Sequence, residues 1–383
     1  MKIALAHNRL DKSGGTELDL YRTATGLRDL GHEVHLFCGE FAIDPPAGTF
    51  AHSIPTVPLG RTARLWSFAS VAPRIIRPYP CDLVVNFGRM FSQDVLRNGG
   101  GSHRAFLQKL GKEDGLRRLW HGLSLYHRSL LALERRQFKP GHYKKILVVS
   151  EVVKQELLAT YAIPEDKVTV IYNGVDHQRF HPGLREQFRE TIRKQWRIPL
   201  DAPAVLFVGN SFRRKGLDRL LKAWSLPRMK ETYLVVVGND TRSGRYKAWA
   251  ERQANGKVVF VGRCDDVESY YGAADVLALP AVQEAFGNVV LEALASGLPA
   301  VVGPNVGAAE VLKGELAEGI VVHPDDPEEI AAKLLAILER SLNGDFCTEA
   351  RKVGKEYSWN KHFTKLDRFL KETLEQGGCG SSS

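Results

Sequence analysis

Short apolar runs bounded by turn residues alternate with helix-patterned segments along this chain, in two successive series, and that alternation restricts the fold more than any other feature. The first series of strand-like runs covers residues 2–7, 33–38, 82–87, 145–150 and 168–172; the second covers 204–209, 233–238, 258–262, 275–281, 300–303 and 319–323. Helical patterns lie between them, at 218–224, 266–273 and 327–342 among others. Strands that alternate with helices form parallel sheets with right-handed crossovers, because a tight hairpin cannot join parallel neighbours. At 383 residues the chain exceeds one ordinary core, so two such sheets in tandem, with a cleft between two α/β domains, are expected. The polar stretch 173–201, with Pro182, Gly183 and Pro199, is the natural junction.

Several classes are disfavoured at once. A hydrophobic content of 44% marks a globular chain and not a disordered one. No run of about 18 apolar residues offers a membrane span. The first residues, from Met1 to His7, turn polar too early for a secretory leader and read as a strand. Five cysteines (Cys38, Cys81, Cys264, Cys347 and Cys379) are scattered without a CxxC pair, which argues against a disulfide frame or zinc knuckle and for a reducing cytoplasm.

The segment from Gln283 to Pro299 carries two glutamates in a strand-to-helix setting. The strand-like run 275–281 precedes it, and the helix formers from Asn288 to Ser296 stop at Gly297 with Pro299 behind. Glu284 therefore falls in the loop, and Glu292 on the helix, one turn after Asn288 on the same face. Helical side chains lean toward the N-terminus, so Glu292 is aimed at the mouth of the loop. The N–H groups of Phe286, Gly287, Asn288 and Val289 make a helix start that suits a phosphate. Two carboxylates beside a phosphate repel it unless they accept hydrogen bonds from hydroxyls, and a nucleotide sugar has hydroxyls on both sides of its diphosphate. A surface helix with two solvated glutamates is the plainer alternative.

Two more loops follow predicted strands. The first, from Leu10 to Asp19, contains Gly14 and Gly15 ahead of a helix pattern; it is either a close backbone approach to a phosphate or an ordinary turn. The GxGxxG fingerprint is missing, so a nicotinamide dinucleotide is a poor fit. The second, from Phe207 to Asp218, places Arg213, Arg214 and Lys215 beside Gly216. Cations at the carboxyl end of a sheet sit where open α/β folds bind ligands, although such residues are often only solvated.

These residues together carry a resemblance. Glu284 and Glu292 with seven residues between them, Gly14 and Gly15, the run from Arg214 to Gly216, and the segment 172–176 resemble the retaining glycosyltransferases of the GT-B fold, in particular the family that includes bacterial lipopolysaccharide core glucosyltransferases. The resemblance covers essentially the whole chain. It implies two Rossmann-like domains facing each other across a cleft: an acceptor-binding domain, 1–172, and a nucleotide-sugar-binding domain, 173–356. A C-terminal helix, 357–376, would cross back to the first domain, leaving 377–383 as a flexible tail. It also implies that Glu284 contacts the hydroxyls of the transferred sugar and Glu292 those of the ribose. Lys215 and Arg214 would neutralise the leaving diphosphate, and backbone groups of Gly15 and of Phe286, Gly287, Asn288 and Val289 would complete the cradle. Arg179 would lie near the phosphates and Arg263 near the base. Many relatives carry an arginine where this chain has Asn210, so Arg213 or Arg214 would have to substitute. No metal and no other cofactor is implied, and no Asp-x-Asp pair occurs in the chain to hold one on a diphosphate.

His103 follows the glycines Gly99, Gly100 and Gly101, and the resemblance makes it a candidate to assist transfer near the anomeric centre; an ordinary surface histidine is the alternative. Residues 104–145 hold eleven Lys and Arg against Glu113, Asp114 and Glu134, close to the whole chain's net charge of +9. Leucines, Trp120 and Tyr126 interleave with these charges, a pattern that suits an anionic membrane surface or, more plainly, a helix packed on its own domain. No stacking platform or nucleic-acid module is visible, so nucleic acid is not an expected partner. The expectation is thus a cytoplasmic enzyme, peripheral to the inner face of the membrane. It would move a hexose, glucose first, from UDP to a lipopolysaccharide-core, other glycolipid or oligosaccharide acceptor. A mannosyl- or N-acetylhexosaminyltransferase, a UDP-sugar epimerase or hydrolase of the same fold, and a non-catalytic scaffold remain alternatives.

Overall fold

The structure is a computed structural model that describes residues 1–11, 15–113, 124–342 and 344–378. The chain divides into two compact units: Met1–Tyr172 together with the segment from Asn360 onward, and Asn173–Trp359.

Among the described residues the first unit is built on seven parallel strands, β1 (Lys2–His7), β2 (Glu33–Cys38), β3 (Phe50–Ser53), β4 (Leu83–Asn86), β5 (Val95–Asn98), β6 (Lys145–Val148) and β7 (Val168–Val170), in the order β3-β2-β1-β4-β5-β6-β7. The period of two along β1 divides its apolar residues between two layers. Ile3 and Leu5 join Leu20, Ala24 and Leu27 of the helix Gly15–Asp29, whereas Ala4 and Ala6 meet Phe68 and Ala72 of the helix Gly60–Ile76. Leu366, Phe369 and Leu370 of the last helix, Trp359–Gly378, complete the first of these layers. That helix runs two residues past the expected limit at 376, and 379–383 lie outside the described residues.

Two of these strands have no clear sequence signal. β3 is a short, mostly exposed edge strand whose His52 stacks on Phe37 at 4.5 Å. β5 ends in Arg97 and Asn98, which interrupt an apolar run. Arg97 is nevertheless fully buried, because Asp19 accepts from its Nε at 2.5 Å and from its second terminal nitrogen at 2.8 Å. A bidentate pair of this kind lets a guanidinium occupy a core position.

The second unit has five parallel strands among its described residues, β8 (Ala204–Val208), β9 (Tyr233–Val237), β10 (Lys257–Gly262), β11 (Val276–Leu279) and β12 (Ala300–Val302), ordered β10-β9-β8-β11-β12. The run 319–323 is not a sixth strand. It contributes one isolated bridge, Ile320 to Val302, after a 3-10 turn at Gly314–Gly319. The Glu329 carboxylate takes the N–H groups of Val322 and His323 at 2.6 and 2.8 Å, which removes the donors a ladder would need.

The expected polar junction is also partly structured. It contains the helix Leu184–Gln195, whose Arg185, Arg189 and Arg193 lie one turn apart and converge on the buried Asp275 at the start of β11. Arg193 and Asp275 are both essentially without solvent exposure.

Candidate functional site

In the Asn173–Trp359 unit the strand order reverses between β8 and β11, so the loops that follow these two strands leave the sheet side by side at its carboxyl edge. Such a switch point is where open α/β sheets bind ligands. The two loops are laced together, because Val282 donates its N–H to the Arg214 carbonyl at 2.9 Å. Gly216 permits this closeness. Its φ is +84°, and a Cβ there would lie 2.1 Å from the Pro280 carbonyl oxygen.

Lys215 and Glu284 meet at this junction. The Lys215 Nζ is 3.2 Å from Glu284 Oε2, and Arg214 approaches the same oxygen at 3.5 Å. The Lys215 stem runs against Gly209, where a Cβ would fall 2.2 Å from its Cδ. Burial pushes the Glu284 carboxyl up, but the two cations outweigh it and hold the group below the usual carboxylate value. The loop is anchored from its other side by Glu284 N–H to Asn305 O at 3.0 Å and Gly307 N–H to Glu284 O at 3.0 Å.

The helix Asn288–Ala295 starts at Gly287, held at φ +94°. Phe286 packs in the core, and its carbonyl accepts from Ala308 N–H at 2.7 Å. Asn288 and Val289 occupy the first turn, where N–H groups lack intrahelical acceptors. Asn288 Oδ1 accepts from Asn173 Nδ2 at 2.8 Å, which ties the start of the unit to the start of this helix. One turn on, Glu292 Oε2 accepts the Tyr271 hydroxyl at 2.7 Å.

Arg179 is engaged on the same side. Its guanidinium donates to Glu268 Oε2 at 3.0 and 2.6 Å and to the Asp265 carbonyl at 3.0 Å. Burial lowers its pKa, and Glu268 and Glu292 more than offset this, so the net shift is upward. Arg263 is exposed just beyond β10. Asn210 accepts the N–H of Asn239 at 3.0 Å and so braces the β9 loop.

The remaining candidates belong to the other unit. Gly14 lies outside the described residues, while Gly15 opens its helix exposed and with open space around it. His103 begins the helix His103–Glu113, and its N–H donates to the buried Glu134 carboxylate at 2.8 Å. Its ring stacks on His127 at 5.1 Å, with Nε2 3.0 Å from His127 Nδ1. Of the basic stretch, residues 114–123 lie outside the described residues. Among the described residues no group of three or more His, Cys, Asp and Glu side chains is arranged to hold a metal ion, and no helix is long and apolar enough to cross a membrane.

Comparison with known proteins assigns the chain to a family. The family Glycosyl transferases group 1 matches residues 188–357, and Glycosyltransferase Family 4 matches residues 13–179. The lipopolysaccharide glucosyltransferase WaaG of Escherichia coli is 26% identical over 332 residues, 86% of this chain and 87% of the relative. The crystal structure of WaaG, a glycosyltransferase involved in lipopolysaccharide biosynthesis, superposes with a TM-score of 0.79 at 25% identity, over 96% of this chain and 99% of that one. The chain belongs to the GT-B-fold glycosyltransferases.

An uncharacterized glycosyltransferase of Methanocaldococcus jannaschii is 33% identical over 238 residues, 60% of this chain, and the match spans only 58% of that relative's length. Anabaena HepE, solved in complex with UDP-glucose, shares the fold at a TM-score of 0.67 and 17% identity, over 98% of this chain and 100% of that one. In this glycosyltransferase the second unit brings Lys215, Arg214, Glu284 and the start of the Asn288 helix to one edge. Tyr271 and Glu268, which contact Glu292 and Arg179, have no local signature, since their partners lie elsewhere in the chain.

Proposed function

We propose that the protein is a retaining hexosyltransferase that moves a hexose, with glucose the first expectation, from a UDP-linked donor to a lipopolysaccharide-core or related glycolipid acceptor, without a metal ion. The observation that carries this reading is the Lys215–Glu284 pair at 3.2 Å, set beside a helix start at the switch point of the sheet. The similarity to the E. coli glucosyltransferase over 86% of the chain supports it.

In this reading Lys215 and Arg214 face the diphosphate, aided by the N–H groups of the Asn288 helix. Fixed donors and cations of this kind stabilise the charge that develops on a leaving group. Glu284 accepts hydrogen bonds from the transferred sugar and Glu292 from the ribose; Arg179 adds positive charge and Arg263 borders the base. The bond from the anomeric carbon to the diphosphate oxygen breaks as the acceptor oxygen bonds to the same face of that carbon. The acceptor's proton passes to the departing diphosphate. In the same reading His103 assists the transfer and Gly15 contacts the donor.

The direct test is turnover of UDP-glucose, with GDP- and ADP-sugars as comparison, with and without a lipopolysaccharide-core acceptor and a chelator. Acceptor-dependent transfer that survives the chelator is expected, and His103→Ala should lose transfer while retaining nucleotide binding. Release of free sugar or isomerised donor without acceptor would overturn the reading in favour of a hydrolase or epimerase. The surplus of Lys and Arg in 104–145 fits a location at the cytoplasmic face of an anionic membrane, reached by electrostatic attraction. The protein should therefore sediment with phosphatidylglycerol liposomes at low salt and be released by high salt. Indifference to lipid charge would remove the membrane from the proposal.

A further inference from the structure

Glu292 has a partner that its role as a ribose ligand does not by itself require. The Tyr271 hydroxyl donates to Glu292 Oε2 at 2.7 Å, from a side chain that is only 2% exposed. Burial, and then the Glu292 charge, push the Tyr271 phenol well above its ordinary value, so it remains protonated and acts as the donor at any working pH.

The tyrosine has little freedom to move. Its ring meets the buried Phe180 edge-on at 5.3 Å and 81°. Its helix, Glu268–Ala273, is pressed against the helix Leu184–Gln195, so that a Cβ on Gly272 would fall 2.2 Å from the Leu184 carbonyl oxygen. A donor fixed in this way sets the orientation of a carboxylate that can otherwise rotate about its own side chain. The same short helix also carries Glu268, which holds Arg179.

We propose that Tyr271 is a positioning residue for the nucleotide: it holds the Glu292 carboxylate in the plane that accepts a ribose cis-diol, and thereby sets the preference for ribonucleotide over 2′-deoxyribonucleotide donors. The inference rests on the reading of Glu292 as the ribose ligand and adds to it the group that makes this contact selective. A site built to bond a hydroxyl discriminates strongly against a ligand that lacks it, provided the acceptor is held in place.

The test is calorimetric titration of the full chain with UDP and 2′-deoxy-UDP, and with the guanosine pair for the case of another base. It is run on the parent protein, Tyr271→Phe and Glu292→Gln, after their melting temperatures have been compared without nucleotide. Tyr271→Phe is expected to weaken the ribonucleotide about tenfold and the deoxynucleotide less than about twofold, as loss of a hydrogen bond to a charged group implies. The ribo/deoxy preference then collapses, an effect that general loosening of the core would not produce. Phe180→Leu keeps the hydroxyl but loosens the ring, and should lose about threefold of the same preference, which covers the case in which Tyr271→Phe fails to fold.

If Glu292→Gln erases the preference while Tyr271→Phe weakens both nucleotides equally or neither, Tyr271 is a core residue only and the inference falls alone. If Glu292→Gln leaves the preference intact, the ribose role of Glu292 falls and the inference falls with it.

Discussion

Lys215→Met is expected to lower kcat for sugar transfer by about 10²–10³-fold, the range seen when one preorganised group that stabilises developing charge is removed. The side chain is 13% exposed, and its stem lies against Gly209, so the ammonium is placed and not merely tethered. Arg214 remains, but it is more exposed and 3.5 Å from Glu284, which makes it a partial substitute.

The same substitution has a second consequence that can be read without any substrate. In the parent protein the Glu284 carboxyl is held below its ordinary value, so its contribution to stability is fully present above the unfolded carboxyl value and is lost as pH falls through the lower folded value. Without Lys215 the burial that already opposes ionisation gains weight, and the variant should lose stability relative to the parent as pH rises from acid to neutral. The gap should reach about 1–3 kcal/mol, the usual penalty for a buried group left without its partner. Denaturant unfolding across that pH range measures it. A variant with near-normal turnover would remove Lys215 from leaving-group stabilisation, whereas a pH-independent gap would contradict the account of Glu284. Lys215→Arg, which keeps the charge, should recover part of both effects.

The largest loss of stability is expected elsewhere, from Arg193→Met. Arg193 donates to the carbonyls of Ala273, Pro199, Leu200 and Ala202, at distances from 2.7 to 3.2 Å, and to Asp275 Oδ2 at 2.7 Å. Asp275 also takes the Ala204 N–H at 3.0 Å, and so joins the starts of β8 and β11. Arg189 still reaches Asp275 at 2.9 Å in the variant, but the carboxylate loses its fully buried partner, and breaking a buried pair in this way costs about 3–5 kcal/mol. Arg185 bonds to the same carboxylate but is 45% exposed. Arg185→Met should therefore change stability by about 1 kcal/mol or less. Urea unfolding of both variants checks the contrast. Equal effects would mean that Asp275 is held by the group of arginines as a whole and not by the buried one.

Much of the fold can be read locally. The runs that became β1, β4, β6, β8, β9, β11 and β12 are apolar because both faces of these strands are largely covered, and that composition does not depend on the partner strand. The places where the reading differs share one cause. β5 hides an arginine in the core through a pair with Asp19, seventy-eight positions away in sequence. The stripe Arg185, Arg189 and Arg193 looks like a solvated helix face until Asp275 is set against it. Residues 319–323 have the composition of a strand but lose ladder donors to Glu329.

The candidate site divides along the same line. That Glu284 falls in a strand-to-helix loop, that Glu292 follows one turn into the helix, and that Lys215 and Gly216 sit at the end of another strand were determined by the sequence alone, since each is a matter of local pattern. Only the tertiary structure decided that Lys215 reaches Glu284, because β8 and β11 become neighbours through the reversal of strand order and not through proximity in the chain. It likewise decided that Tyr271 donates to Glu292, a contact between two helices whose relative placement comes from packing on the sheet. Local pattern records which backbone a residue favours, while a bond between distant side chains depends on how whole elements are stacked.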